Sequence, residues 1–102
     1  MQHLTTYHLA VQFYREAKAV SLAHYLKDQL RRAALSIALN ISEGTGKSSM
    51  PDRIRFFEIA MGSIRECQAI FEVESESFTA SQKDLLDHLA ASAYKLIKQS
   101  RR

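Results

Sequence analysis

The sequence predicts an all-α protein, an antiparallel up-down-up-down bundle of four helices, and three observations predict it. The 102 residues include three glycines, one proline and no tryptophan, against many Ala, Leu, Ile, Ser, Lys and Glu, which is a helix-forming composition. Four stretches repeat apolar residues at spacings of three and four, the period of a helix face, and none alternates as a strand does. The breaks between them are short, which makes consecutive helices antiparallel neighbours. The length suits one domain over residues 1–102, able to bury about 65% of the surface its unfolded chain exposes without a metal or a disulfide.

The first helix, about residues 4–20, carries Leu9, Phe13, Ala17 and Val20 on one stripe with Tyr7, Ala10 and Tyr14 beside it. Arg15, Glu16 and Lys18 lie towards water, and Thr5 or Thr6 is placed to cap the start. Residues 21–23 form the only break before the second helix, residues 24–43. There Leu30, Ala34, Ile37 and Ile41 form an apolar stripe, while Leu35, Ala38 and Leu39 lie off it and are apolar too. A helix apolar over most of its circumference needs cover from two sides, one from the bundle and one from another subunit. Gly44 is placed as a left-handed terminator, and Gly46 lets the chain reverse.

The third helix starts at a Ser48 or Ser49 cap, with Pro51 in its first turn and Asp52 near the positive end of the dipole. Its stripe runs Ile54, Phe57, Ala60 or Met61, Ile64, Cys67 and Phe71, to an end near residue 77. Gly62 and Ser63 interrupt it; a glycine there costs about 1 kcal/mol relative to alanine, which calls for close approach of another helix. Glu72, Glu74 and Glu76 are unfavourable at a C-terminus, so the end either frays or meets a basic neighbour. Thr79 with Gln82 is a capping box opening the fourth helix. That helix presents Leu85 or Leu86, Leu89, Ala93 and Leu96 or Ile97, and ends in Lys95, Lys98, Arg101 and Arg102.

Several function classes recede on the same residues. Residues 44–48, Gly-Thr-Gly-Lys-Ser, end like a phosphate-binding P-loop, but that loop needs a glycine at position 41 and a preceding strand, and the chain has Ile41 and a helix. His3, His8, His24 and His88 are scattered, none at metal-ligand spacing to a carboxylate or second histidine, so no metal or other cofactor is expected. The single cysteine, Cys67, sits on an apolar stripe as a small core residue. Nothing suggests a strained nucleophile or a general base, so no enzyme is expected. No apolar run approaches the roughly 18 residues of a membrane span, and the N-terminus lacks a signal peptide's order of charges, which implies a cytoplasmic protein with no membrane partner.

The formal net charge is +3. It is uneven, with eight Lys or Arg against four Asp or Glu in residues 1–56 and six against seven in residues 57–102. Lys27, Arg31, Arg32, Lys47, Arg53 and Arg55 gather in sequence around the second helix and the turn after it. Such a set either forms solvated faces paired with Asp28, Glu43, Asp52 and Glu58, or contacts phosphates whose weak individual contributions add through counterion release. With no aromatic interleaved and Tyr7, Tyr14 and Phe56 expected inside, binding would favour the RNA or DNA backbone over sequence. Asn40, in the most apolar helix, needs a hydrogen bond from the 44–48 turn or from a facing helix. Glu43, beside Gly44, either holds the turn or pairs with Arg53 or Arg55.

The run QLRRAALSIALNISEGTGKS at residues 29–48, followed by DRIRFFEIAMGSIRE at residues 52–66, resembles the bacterial four-helix bundle family. That family includes the 23S rRNA intervening sequence proteins and the accessory variability determinants of diversity-generating retroelements. The match covers about a third of the chain and rests on RRA, SI, N-I-x-E-G, RF and GS-x-x-E at this spacing. The resemblance implies a ring-shaped homo-oligomer, a pentamer, with a basic surface, and for the retroelement branch docking to a reverse transcriptase. The expected function is a non-catalytic nucleic-acid-binding oligomer; the alternative is a protein-interaction scaffold that binds no nucleic acid.

Overall fold

Four helices carry the chain, α1 (Gln2–Lys18), α2 (His24–Thr45), α3 (Met50–Val73) and α4 (Ala80–Ser100), with a single 3-10 turn at Ser75–Ser77. The computed structural model describes residues 1–101, and among these there is no strand; Arg102, expected to close the basic end of the last helix, lies outside the described residues. The molecule measures 40 × 22 × 19 Å. Helix α2 packs on α1 and α3, and α4 packs on the same two, so the helices form a four-cornered bundle without close diagonal pairs among the described residues.

The predicted stripes supply most of the core, although Leu9 and Ile54 are only half-buried. Phe13, Ala17 and Val20 meet Leu30, Ala34, Ile37 and Ile41, then Phe57, Ala60, Ile64, Cys67 and Phe71, then Leu86, Leu89, Ala93, Leu96 and Ile97, all buried. Ala38, read as part of a second apolar face on α2, is buried within the subunit, which leaves Leu35 and Leu39 as the exposed leucines of that helix.

The helix ends differ in places from the sequence reading, each for a local physical reason. Helix α1 begins at Gln2 behind Met1. Neither Thr5 nor Thr6 caps it: Thr6 is buried one turn inside, and its hydroxyl lies 2.7 Å from Ser92 Oγ of α4. Gln2 Nε2 donates to that same Ser92 Oγ at 2.7 Å, and Thr6 Oγ1 donates to Gln2 O at 2.9 Å. A small closed set of hydroxyl and amide groups therefore ties the start of α1 to the second half of α4, satisfying polar groups that would otherwise be costly to bury.

Helix α3 is capped by Ser49, whose Oγ accepts from Asp52 N, with Pro51 in the first turn. It stops at Val73, four residues before the predicted end. Lys83 lines a hollow with Glu72, but among the described residues Glu72, Glu74 and Glu76 have no ion pair. Ending early takes Glu74 and Glu76 out of the aligned dipole, and Phe78 then stacks on Phe71 with ring centroids 3.7 Å apart. Helix α4 opens with the predicted capping box of Thr79 and Gln82.

Cys67 is buried and free. Burial pushes its thiol up to about 12 from an ordinary 9.0, with the adjacent Glu66 carboxylate adding to the rise. The thiolate is the nucleophile, so the native protein at pH 8 should resist a chromogenic disulfide reagent and react fully in denaturant. Fast labelling of the folded protein would place Cys67 outside the core. The sign for stability follows: above about pH 9 the unfolded thiol ionises while the folded one stays protonated, so this group contributes a loss of stability as pH rises from there.

Candidate nucleic-acid interface

The structure divides the predicted basic set in two. Lys27, Arg31 and Arg32 stand on the first turns of α2, whereas Lys47, Arg53 and Arg55 surround the turn between α2 and α3. At 1.5 Å per residue, Arg32 lies about 20 Å from the end of α2, so the six do not form one patch. In the first group Asp28 holds Arg31 at 3.7 Å and His24 at 3.6 Å. Arg31, Arg32, Tyr14 and Leu35 line a shallow hollow between α1 and α2.

In the second group the cations are largely spent on the turn itself. Arg53 Nε donates to Lys47 O at 2.7 Å, and Lys47 Nζ pairs with Glu43 at 3.1 Å. Glu43 therefore holds the turn through Lys47 and, among the described residues, forms no ion pair with Arg53 or Arg55. Arg55 reaches Asp52 at 3.9 Å. Lys47 and Arg55 also lie 5.2 and 4.7 Å from the centroid of Phe56, a half-buried ring covered by cations. The N–H groups of Gly46 and Lys47 donate to carbonyls of Ser42, Glu43 and Gly44, so they close the helix.

Gly44 is not a left-handed terminator. It lies inside α2, and no described glycine has a positive φ. Its need is space: a Cβ there would sit 2.6 Å from Phe57 Cε1 and 3.1 Å from Arg53 O. Asn40 likewise bonds neither the turn nor the facing helix directly. Its Nδ2 donates one turn back to Ser36 O at 2.9 Å and Ser36 Oγ at 3.1 Å, and Ser63 Oγ of α3 donates to that same Oγ at 2.9 Å.

What the sequence reading missed lies on α4. Arg101 pairs with Glu58 of α3, and Gln99 and Ser100 share a hollow with Thr45, Met50, Arg53 and Phe57. The end of α4 thus lies beside the α2–α3 turn, adding Lys95, Lys98 and Arg101 to Lys47, Arg53 and Arg55 at one pole, against Glu43, Asp52 and Glu58. Among the described residues Lys95 and Lys98 have no ion pair. Tyr94 is exposed, and at spacings of four and three it shares an outward face with Lys98 and Arg101. Tyr7 is exposed as well, contrary to its expected burial. That spacing was the available signal for Tyr94, and only the helix's outer face gives it meaning.

A four-helix chain with an apolar core, small hydroxyl networks between helices and a cationic pole defines a helical-bundle protein whose distinctive chemistry is on its surface. Among the described residues no group of three His, Cys, Asp or Glu is placed to hold a metal ion, and no helix is long and apolar enough to cross a membrane. The family model described as 23S rRNA-intervening sequence protein matches residues 3–102, and the chain belongs to that family. Comparison with curated proteins finds no match.

Proposed function

We propose that the chain is a non-catalytic, cytoplasmic subunit of a ring-shaped homo-oligomer, a pentamer as the family resemblance implies, that holds the phosphate backbone of RNA or DNA. Its helices run alternately up and down. Gly44 against Phe57, Glu58 against Arg101 and Gln2 against Ser92 support that sense, because each joins the start of one helix to the later part of its neighbour.

The observation that carries the binding role is the cationic pole, with Lys95 and Lys98 unpaired among the described residues and Tyr94 exposed beside them. Repetition around a ring multiplies a charge excess that is modest in one subunit. Phosphate contacts release counterions, so affinity for a labelled structured RNA and for a DNA duplex should fall about tenfold or more between about 50 and 200 mM salt. Lys95→Glu with Lys98→Glu should weaken binding to every sequence and flatten that salt slope. Tyr94→Ala should cost more on single-stranded than on duplex substrate, as stacking contributes about 1–3 kcal/mol per base. Absence of binding at either salt would reject the role.

A second reading is favoured by one observation, the exposed Leu4 and Tyr7 of α1, which line a mainly apolar hollow with Ser42 and Thr45 of α2. A polypeptide partner would dock there with little salt dependence. A reverse transcriptase is the partner that the retroelement side of the resemblance implies.

A further inference from the structure

Gly62 stands mid-way along α3, exposed, and a Cβ built on it meets nothing within 4 Å. The close approach that its sequence context calls for is therefore absent from the subunit. A mid-helix glycine weakens the helix relative to alanine, so within one chain it is a cost without a return. It belongs to an exposed line of Ile59, Gly62, Glu66, Ala69 and Val73, spaced by three and four along one outward face. Ile59 is 45% and Val73 74% exposed. From Ile59 to Val73 this line is apolar or small apart from Glu66, with the exposed charges of Arg55, Glu58 and Arg65 at its borders.

Helix α2 carries a counterpart. Tyr25, Arg32 and Leu39 recur every seven residues, two turns, so they too share an outward face; Tyr25 is 71% and Leu39 58% exposed. The Ser36–Ser63 hydroxyl bond sets the heights of the two helices. With alternating sense, Leu39 lies about level with Ala60, Arg32 with Cys67 and Tyr25 with Glu74. Level by level, Leu39 matches Ile59 and Gly62, Arg32 matches Glu66, and Tyr25 matches Val73. Among the described residues neither Arg32 nor Glu66 has an ion pair in its own subunit.

We infer that the outer face of α2 in one subunit packs on the outer face of α3 in a second copy, Leu39 entering beside Ile59 at the gap left by Gly62 and Arg32 pairing with Glu66. This contact rests on the proposed ring and names what joins it. Rotation about an axis along the bundle keeps heights equal, so the matched levels meet. Neighbouring corners of a four-helix bundle face outward about 90° apart, close to the turn between the two contact faces of a subunit in a ring of four or five. Small residues let helices approach closely, and opposite charges at one level fix the register. Arg32 is then an assembly residue, and phosphate contact falls to the pole at the other end of α2.

The test is sedimentation velocity on the full chain, comparing wild type, Arg32→Glu, Glu66→Arg and the double exchange, with circular dichroism on each. The expected result is an assembled wild type, at least about tenfold weaker association in either single reversal, and recovery in the exchange. Gly62→Leu, at an exposed position where a Cβ meets nothing within 4 Å among the described residues, should keep full helicity and lose assembly. Single reversals and Gly62→Leu that assemble like wild type overturn this contact and leave the ring standing. An exchange no better than the singles, with helicity intact, also overturns it. A wild type that remains monomeric removes the ring and the contact together.

Discussion

Phe57→Ala should lower stability by about 3–5 kcal/mol, the range for truncating a buried aromatic ring. The ring is buried where the first turns of α3 face the last turn of α2, and it borders the hollow shared with Arg53, Leu96 and Ser100. Removing it leaves a void that Gly44 has no side chain to fill. Helix backbones on both sides hold the walls apart, so collapse is incomplete and the cavity adds to the lost transfer energy. Urea denaturation at fixed protein concentration reads the shift as a lower midpoint; fixing concentration matters because assembly contributes to apparent stability. A change within experimental error would move Phe57 out of the core.

Gly44→Ala should also destabilise, by about 1–3 kcal/mol, the cost of overpacking. Alanine is the better helix former by about 1 kcal/mol, but its methyl would lie 2.6 Å from the Phe57 ring and 3.1 Å from the Arg53 carbonyl. The carbonyl is backbone, and the ring is buried between helices, so neither yields cheaply. The cost should shrink once the ring is gone: in the Phe57→Ala background, Gly44→Ala loses the 2.6 Å clash and keeps only the 3.1 Å approach to the Arg53 carbonyl, so it should destabilise by less. That double-mutant cycle isolates the pair. Additive effects would show that Gly44 answers to something other than Phe57.

Much of the bundle was legible in the chain. Apolar residues at three and four spacing place a core face on each helix, and Ser49 with Asp52, and Thr79 with Gln82, mark helix starts through hydrogen bonds that reach only three residues. The early stop of α3 was less legible. Residues 74–77 are polar and compatible with helix, and the preference of Phe78 for the Phe71 ring is a contact between side chains that the periodicity does not encode. Thr6 shows the same limit. A threonine near a helix start reads as a cap, yet Ser92, 86 residues away, is its partner.

The candidate surface divides along the same line. Proximity in sequence made Lys27, Arg31, Arg32, Lys47, Arg53 and Arg55 look like one cluster, but a helix of 22 residues separates its ends by about 30 Å. Lys95 and Lys98 are remote in sequence from the α2–α3 turn and join it because α4 ends there.

The sequence by itself determined the number of helices, their inward faces and the caps that open α3 and α4, because helix periodicity and capping depend on residues within a turn of one another. Only the tertiary structure decided why Gly44 is a glycine, that a Cβ at Gly62 would meet nothing within 4 Å among the described residues, and which cations share a pole. Those depend on which helices meet and at what height, and that is settled by the packing of Phe57, Ser36, Ser63 and Ser92 across helices rather than by any local pattern.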